Sequence, residues 1–199
     1  KKTMPIIVFD TETTNLIPKG SHYTTHFKDY PNIVSLAFML CDDTGKELER
    51  YNEIVKPDGY EIPEEATKIH GITTKMAIEK GRPIKEVLKY FILAANKCDK
   101  LVGHNIFYDT SIIKASFLRL GIAPDLINPV LDKTKSVCTM QKSTKFCNLP
   151  GKYGTKWPKL EELYKILFKE DMENCHDAMT DVKATKECYF ELKKLNIIN

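Results

Sequence analysis

The stretch "PIIVFDTE", residues 5 to 12, constrains this chain more than any other. Ile6 to Phe9 read as a buried strand, and that strand ends on two carboxylates one residue apart, Asp10 and Glu12. Side chains alternate between faces along a strand, so residues i and i+2 share a face about 7 Å apart along the backbone. The two carboxylates can therefore converge, and like charges held so close need a counter-ion. A lone pair of this kind could equally be solvated, since acids flank strands routinely. What decides the matter is whether other groups fall at the same edge.

The rest of the chain reads as alternating elements. "NIVSLAFML", the turn "CDDTG" and "KELERYNEIVKP" predict a hairpin, two strand-like runs around an Asp and Gly cluster. Residues 83–97 begin with Pro and place Ile84, Val87, Leu88, Phe91 and Ala95 at helical spacing. "KLVGHN" returns to strand character. "FYDTSIIKASFLRLG" puts Ile112, Ile113, Ser116, Phe117 and Leu120 on one helical face and stops at Gly121. "WPKLEELYKILF" predicts a helix with Leu160, Leu163 and Leu167 inward, and the last segment has Val182, Thr185, Tyr189, Leu192 and Leu195 in register. Early strands followed by strands alternating with helices imply an α/β sheet flanked by helices, antiparallel at one edge and parallel beyond it.

With 199 residues and 42% apolar content, the chain supports one core and is short for two, so residues 1–199 read as a single domain. No apolar run reaches the ~18 residues of a membrane span, and "KKTMPIIVFD" is a poor signal peptide. A non-secreted intracellular protein, cytoplasmic or associated with the nucleoid or nucleus, and with no membrane partner, is expected. Six cysteines (Cys41, Cys98, Cys138, Cys147, Cys175, Cys188) form no C-x-x-C pair, which argues against a zinc module and for reduced, packed thiols. The net charge of +3 is unremarkable, but its distribution is uneven. Lysines 133, 135, 142, 145, 152, 156 and 159 lie in a stretch from Lys133 to Leu160 with no Asp or Glu, a candidate polyanion-facing surface or a merely solvated one.

Further acids fall where the first two need company. Asp109 follows "KLVGHN" at the start of a helix, near the strand edge where ligands of open α/β sheets gather. Asp181 lies about one turn into the last helix, with His176 just before it; Asp177 could be an N-cap and His176 a surface histidine. Four carboxylates offer only hard oxygen ligands, a set that selects Mg²⁺ or Mn²⁺ over Zn²⁺. They exceed the need of one ion, whereas two ions about 3.5 to 4 Å apart could share Asp10 and perform phosphoryl chemistry. His176 would then take the proton from the attacking water.

Taken together, these motifs resemble those of the DEDDh, or DnaQ-like, 3′ to 5′ exonucleases: D-x-E-T-T-x-L at Asp10, Glu12, Thr13, Thr14 and Leu16, H-N-x-x-x-D at His104, Asn105 and Asp109, and H-x-A-x-x-D at His176, Ala178 and Asp181. The resemblance spans residues 6 to about 190. The sister group with tyrosine four residues before the last Asp is excluded, since that position is Asp177. It implies a ribonuclease-H-like fold with a central mixed five-stranded sheet. It also implies that Asp10, Glu12, Asp109 and Asp181 hold two divalent metal ions, with His176 as general base.

Substrate contacts carried by the same resemblance are Thr13, Leu16, Ile69, His70, Asn105 and Tyr108. Leu16 would wedge against the terminal base, and Ile69 and His70 of "ATKIHGIT" would touch the terminal nucleotide. Ordinary core packing is the alternative for Leu16 and Ile69. Trp157 reads as packing for the adjoining helix in preference to a stacking platform. The family carries Gly where this chain has Asn15, which predicts a left-handed backbone there, tolerated by Asn. Residues 17–31 form a longish loop beside the site. The implied activity is metal-dependent hydrolysis from a free 3′ end of single-stranded or frayed DNA, releasing nucleoside 5′-monophosphates. Runners-up are an RNA trimmer and a proofreading subunit or domain partnering a DNA polymerase or other replication or repair protein.

Overall fold

The apolar run near the N-terminus forms the middle strand of a five-stranded sheet. In the computed structural model, which describes residues 4–199, this strand is β1 (Ile6–Thr13), and Lys1 to Thr3 of the N-terminal stretch weighed above lie outside the described residues. On one side it pairs antiparallel with β2 (Ile33–Cys41), which pairs antiparallel with β3 (Glu47–Ile54) as the hairpin predicts. On the other side it pairs parallel with β4 (Lys100–Gly103), which pairs parallel with β5 (Ser136–Cys138). The order is β3-β2-β1-β4-β5, antiparallel at one edge and parallel at the other. The β3 edge is polar, "ELERYNEI", and so resists pairing with another chain.

Helices cover both faces of the sheet. After β1 come a short α1 (Tyr23–His26) and, after β3, the pair α2 (Glu64–His70) and α3 (Thr74–Lys80). Helices α4 (Ile84–Ala95) and α5 (Ile106–Arg119) pack on the face carrying Ile7 and Phe9, where Leu88, Phe91, Ile106 and Ile112 are fully buried. A short α6 (Pro124–Ile127) and α7 (Thr139–Cys147) follow, then a two-stranded hairpin β6 (Pro150–Gly151) and β7 (Gly154–Thr155). Finally α8 (Leu160–Phe168) and α9 (Ala178–Lys194) cover the other face, where Ile6 and Val8 meet Leu163, Val182, Tyr189 and Leu192. The period-2 alternation of β1 thus feeds two separate apolar layers. All six cysteines are free thiols, and among the described residues no helix is long and apolar enough to cross a membrane.

Two predicted core positions are exposed. Leu120 and Leu195 are each the residue after the last helical one, with φ near −82° and ψ near zero. Leaving the helical path swings each side chain off the apolar stripe, and at the chain's end Ile198 fills the inward place that Leu195 vacates. Trp157 also differs from expectation: the buried residue at that point is Pro158, and the indole is turned to solvent.

The α2–α3 pair is held to the sheet by the cluster of Val34, Ile62, Ala66 and Ala77 and by the chain at Gly81. After α3 the chain runs beside the end of β3, with Arg82 N–H donating to the Ile54 carbonyl and Lys56 N–H to the Arg82 carbonyl, each at 2.8 Å. A Cβ at Gly81 would collide with the main-chain carbonyl of Ala77 and the main-chain amide of Lys56, neither of which can turn aside. Gly81→Ala is therefore expected to destabilise by about 1–3 kcal/mol through overpacking. That corresponds to a fall in Tm of roughly 3–10 °C at this chain length. Thermal melting followed by circular dichroism checks it, and an unchanged Tm would show that the α2–α3 pair can shift without cost.

Candidate active site

Beyond Val8, β1 outruns its parallel partner: the β4 pairing covers only Ile6, Ile7 and Val8. The residues that follow are bonded to β2 alone, and the space beside them at the C-terminal end of β4 is filled by the start of α5. Asn105, with a left-handed backbone (φ 65°), turns the chain from β4 into that helix and brings Asp109 to the sheet edge. There the Thr11 amide, without a strand partner on that side, donates to Asp109 Oδ1 at 3.2 Å, and the Thr11 hydroxyl donates to the same oxygen at 2.6 Å. Asp109 is buried and held in place by these two bonds.

On the opposite face of β1, Asp10 and Glu12 point toward α9, and Asp181 meets them one turn into that helix. Carboxylate oxygens of Asp10, Glu12 and Asp181 lie within 4.8 Å of one another. Asp177 is the N-cap of α9, its Oδ2 accepting from the Thr180 amide at 3.0 Å. His176 precedes it on a left-handed backbone (φ 69°), its amide donating to Asp181 Oδ1 at 3.3 Å. The four expected carboxylates therefore reach one edge from three elements and two faces of the sheet. Asp109 stands outside the close trio because it comes from the α5 side and is held by Thr11. A strand irregularity between Glu12 and Thr13 in the β1–β2 pairing re-aims the residues that follow.

The electrostatics follow from crowding in a partly dry site. Burial, then Asp109, Glu12 and Asp181, push the Asp10 carboxyl well above the usual range. Glu12 is pushed up to about 8 by burial and then by Asp181, Asp109 and Asp177. Asp109 rises to about 7 through burial, opposed by the Thr11 hydrogen bonds, and Asp181 to about 6 through burial, opposed by the His176 amide. Among the described residues none of the four acids forms an ion pair with Lys or Arg. Oδ2 of Asp10 and the hydroxyl of Ser35, the cross-strand neighbour of Glu12, are buried without hydrogen-bond partners. An orphaned carboxylate oxygen among unpaired acids fits a divalent cation bound by hard oxygen donors.

Beside the acids opens a cleft of about 770 Å³, lined by Glu12, Thr13, Asn15, Leu16, Ile69, His70, Asn105, Tyr108 and His176 among others. All six residues expected to touch substrate border it. Leu16 is 81% exposed and Ile69 58% exposed, so neither is a core residue and both present apolar surface to the cleft. His70 Nδ1 accepts from the Ile72 amide at 3.1 Å, so Nε2 carries the proton, and that nitrogen is buried without a partner. Burial holds the His70 ring below its usual range, which favours this neutral form. Thr13 donates to the Asn15 carbonyl at 2.9 Å, and Tyr108 reaches the same carbonyl at 3.4 Å. Asn15 itself does not have the left-handed backbone expected of it; its carbonyl is held by Thr13 and Tyr108, and the left-handed asparagine of the site is Asn105. One supporting residue was not anticipated, Thr11, although alternation shows that it faces away from the two acids between which it stands. Thr14 of the first motif holds the turn, its hydroxyl accepting from the Asn32 amide at 3.0 Å.

The mixed five-stranded sheet flanked by helices is a ribonuclease-H-like fold, and comparison with known proteins identifies the family. The family profile described as Exonuclease matches residues 7–189. DNA polymerase III subunit epsilon of Haemophilus influenzae is 30% identical over 186 residues, covering 92% of this chain and 65% of that protein. A DNA polymerase III subunit epsilon-like protein of Rhodobacter capsulatus is 34% identical over 191 residues, covering 95% of this chain and 24% of its own length. Escherichia coli exonuclease I in complex with a dA16 oligonucleotide superposes with a TM-score of 0.75 at 21% identity, covering 96% of this chain and 41% of that one. The chain thus spans less than two thirds of each of these three proteins. It belongs to the exonuclease family, in its DEDDh, DnaQ-like branch.

The raised carboxylates make stability depend on pH. Their folded pKa values lie above their unfolded ones, so the folded state holds more protons, and stability present in acid is lost as pH rises through about 6, 7 and 8. In EDTA the Tm should fall between pH 5 and pH 8, and millimolar Mg²⁺ or Mn²⁺ should raise it more at pH 8 than at pH 5. A metal-induced shift that is absent, or equal at both pH values, would contradict this account of the acids.

Proposed function

We propose that residues 1–199 form one catalytic domain, a divalent-metal-dependent 3′ to 5′ exonuclease that removes nucleotides from a free 3′ end of single-stranded or frayed DNA. The observation that carries this reading is the meeting of Asp10, Glu12 and Asp181 within 4.8 Å, unpaired by any cation of the described chain, at the mouth of a cleft rimmed by exposed Leu16 and Ile69. Preference for DNA draws on the likeness to DNA polymerase III epsilon subunits.

Asp10, Glu12, Asp109 and Asp181 would hold two Mg²⁺ or Mn²⁺ ions, which when bound activate water and neutralise charge on the leaving 3′ oxygen. In the proposed reaction water attacks the terminal phosphorus, the P–O3′ bond breaks, and a nucleoside 5′-monophosphate leaves a strand one nucleotide shorter with a free 3′ hydroxyl. His176 takes the water's proton; it stands exposed at the cleft, and its strained left-handed backbone is the kind of feature that collects at functional positions. Thr11 keeps Asp109 oriented. Leu16 and Ile69 grip the terminal base without reading its edge, which gives sequence tolerance. His70 contributes its ring to the cleft wall beside the terminal nucleotide, while Thr13, Asn105 and Tyr108 shape the floor.

The test uses 5′-labelled DNA and RNA strands with free or blocked 3′ ends, incubated with Mg²⁺, Mn²⁺ or EDTA. A metal-dependent ladder shortening from the free 3′ end is expected, faster on DNA, and no degradation of either polymer by the folded protein with metal would overturn the proposal. A second reading, a proofreading subunit working with a DNA polymerase, is favoured by the same epsilon-subunit likeness. Faster removal of a mispaired than of a paired 3′ terminus on a primer duplex would support it.

Ligand and base roles separate in the variants. Asp10→Ala should lose both cleavage and the metal-induced rise in Tm. His176→Ala should lose roughly 10²- to 10⁴-fold in kcat, the usual contribution of a general base, while keeping the metal-induced rise. A His176→Ala enzyme of normal kcat would remove the histidine from the mechanism.

A further inference from the structure

Outside the cleft, the lysine-rich segment builds an element that the catalytic reading does not use. The β6–β7 hairpin closes on a two-residue tip, Lys152 and Tyr153, between the paired Gly151 and Gly154. Gly154 has φ +117°, which an L side chain rarely adopts, and a Cβ at Gly151 would lie 2.9 Å from the Lys156 Cβ. The strands are that close because Lys156 N–H donates to the Leu149 carbonyl at 2.9 Å. Lys156 Nζ reaches Glu162 Oε1 at 2.6 Å, and Oε2 of the same carboxylate accepts from the Lys159 amide at 2.8 Å. The hairpin is therefore a braced element with defined geometry.

Its base is fastened to the active-site edge. His104 Nε2 donates to the Pro158 carbonyl at 2.9 Å, and Nδ1 then accepts from the Thr139 hydroxyl at 2.9 Å. His104 immediately precedes Asn105, which lines the cleft. One neutral imidazole thus ties the end of β4, the start of α7 and the hairpin together.

What the hairpin presents is aromatic and cationic. Tyr153 is 91% exposed and Trp157 60% exposed. The Lys152 ammonium lies over the Tyr153 ring, 5.1 Å from its centroid, so one face carries positive charge while the ring as a whole stays open to solvent. Lys133, Lys142, Lys145, Lys152 and Lys159 are exposed; Asp132 is engaged in capping the turn at Thr134, and Glu162 in bracing Lys156 and the Lys159 amide. Exposed rings amid unneutralised lysines complement a strand of nucleic acid, whose bases stack on aromatic faces and whose phosphates meet the cations.

We propose that this hairpin is a second contact for single-stranded nucleic acid, distinct from the cleft, with Tyr153 and Trp157 as base-stacking platforms and Lys152 meeting the backbone. The proposal rests on the exonuclease reading only in its choice of strand; binding itself needs no catalysis. It predicts that a long strand is held at two places and a very short one only in the cleft.

The experiment measures anisotropy of 5′-fluorescein oligothymidylate, about 20 nucleotides long so that it exceeds a single binding site, in EDTA. Cleavage of the thymidine trinucleotide with Mg²⁺ is measured in parallel. The double variant Tyr153→Ala, Trp157→Ala should bind the long strand at least about tenfold more weakly, with trinucleotide kcat/KM changed less than about twofold. Lys152→Ala should make the log–log salt dependence shallower by about 0.7, the contribution of one phosphate contact on a single strand. Because both rings are exposed, melting should be unchanged, and a lowered Tm would show that the rings pack within the chain and overturn the proposal. So would unaltered affinity for the long strand, as expected of a protein-docking hairpin, or an equal loss on both substrates. A wild-type protein that cleaves the trinucleotide but does not bind the long strand would defeat this proposal alone. One that binds through the hairpin but cleaves neither substrate would defeat the catalytic reading alone.

Discussion

Everything at the site depends on one strand that is buried on both faces yet ends in charge. The apolar half of β1 is covered by α4 and α5 on one side and α9 on the other, so its position is dictated by two cores at once. Its last residues inherit that rigidity. Asp10 and Glu12 are delivered to the α9 face and Thr11 to the α5 face, and each partner acid, Asp181 or Asp109, comes from the helix that covers the corresponding side. Repulsion among these acids opposes folding and is tolerated because the cores on both faces outweigh it. In the proposed function the acids are thereby placed before any cation arrives, with little left to reorganise.

The chemistry is divided between rigid and irregular parts of the chain. The carboxylates sit on a strand and two helices, where their placement is set by packing. His176 sits on the loop between α8 and α9, which contains the left-handed residues Lys169, Asn174 and His176. In the proposed roles, a residue that exchanges protons with water has reason to be exposed and outside regular structure, whereas residues that fix a cation do not. The same division holds for the proposed apolar contacts: Leu16 and Ile69 lie exposed at the cleft rim, outside either core.

Much of this was legible beforehand, for identifiable reasons. Alternation placed Asp10 and Glu12 on one face, the strand ending in "GHN" located Asp109, and helical spacing put Asp181 one turn into α9. Periodicity failed at Leu120 and Leu195 because it runs on past the point where helical hydrogen bonding stops. It was silent on Leu16 and Ile69, since an apolar residue in a short segment reads alike whether it faces a core or a cleft. Residue type alone favours packing for Trp157, because indoles usually are buried in part; that Pro158 is covered instead accompanies the bond between its carbonyl and His104, across 54 positions of sequence. The backbone at Asn15 was inferred from the residue that the family places there, but the turn is held by Thr13 and Tyr108 without a left-handed residue.

The sequence by itself determined β1, the β2–β3 hairpin, β4, the helices α4, α5, α8 and α9, their order in the chain and the mixed character of the sheet, because these rest on local period, and residue chemistry nominated the carboxylates and the histidine. Only the tertiary structure decided how those residues divide. Asp109 reaches the edge from the opposite face and is held by Thr11, leaving a close trio of acids with an orphaned oxygen. His104 joins three distant segments, and Tyr153 and Trp157 stand clear of the core. The Asp109 and His104 contacts join residues far apart in the chain; the first is made possible by where β1 outruns β4, and no local pattern encodes where one strand ends relative to its neighbour.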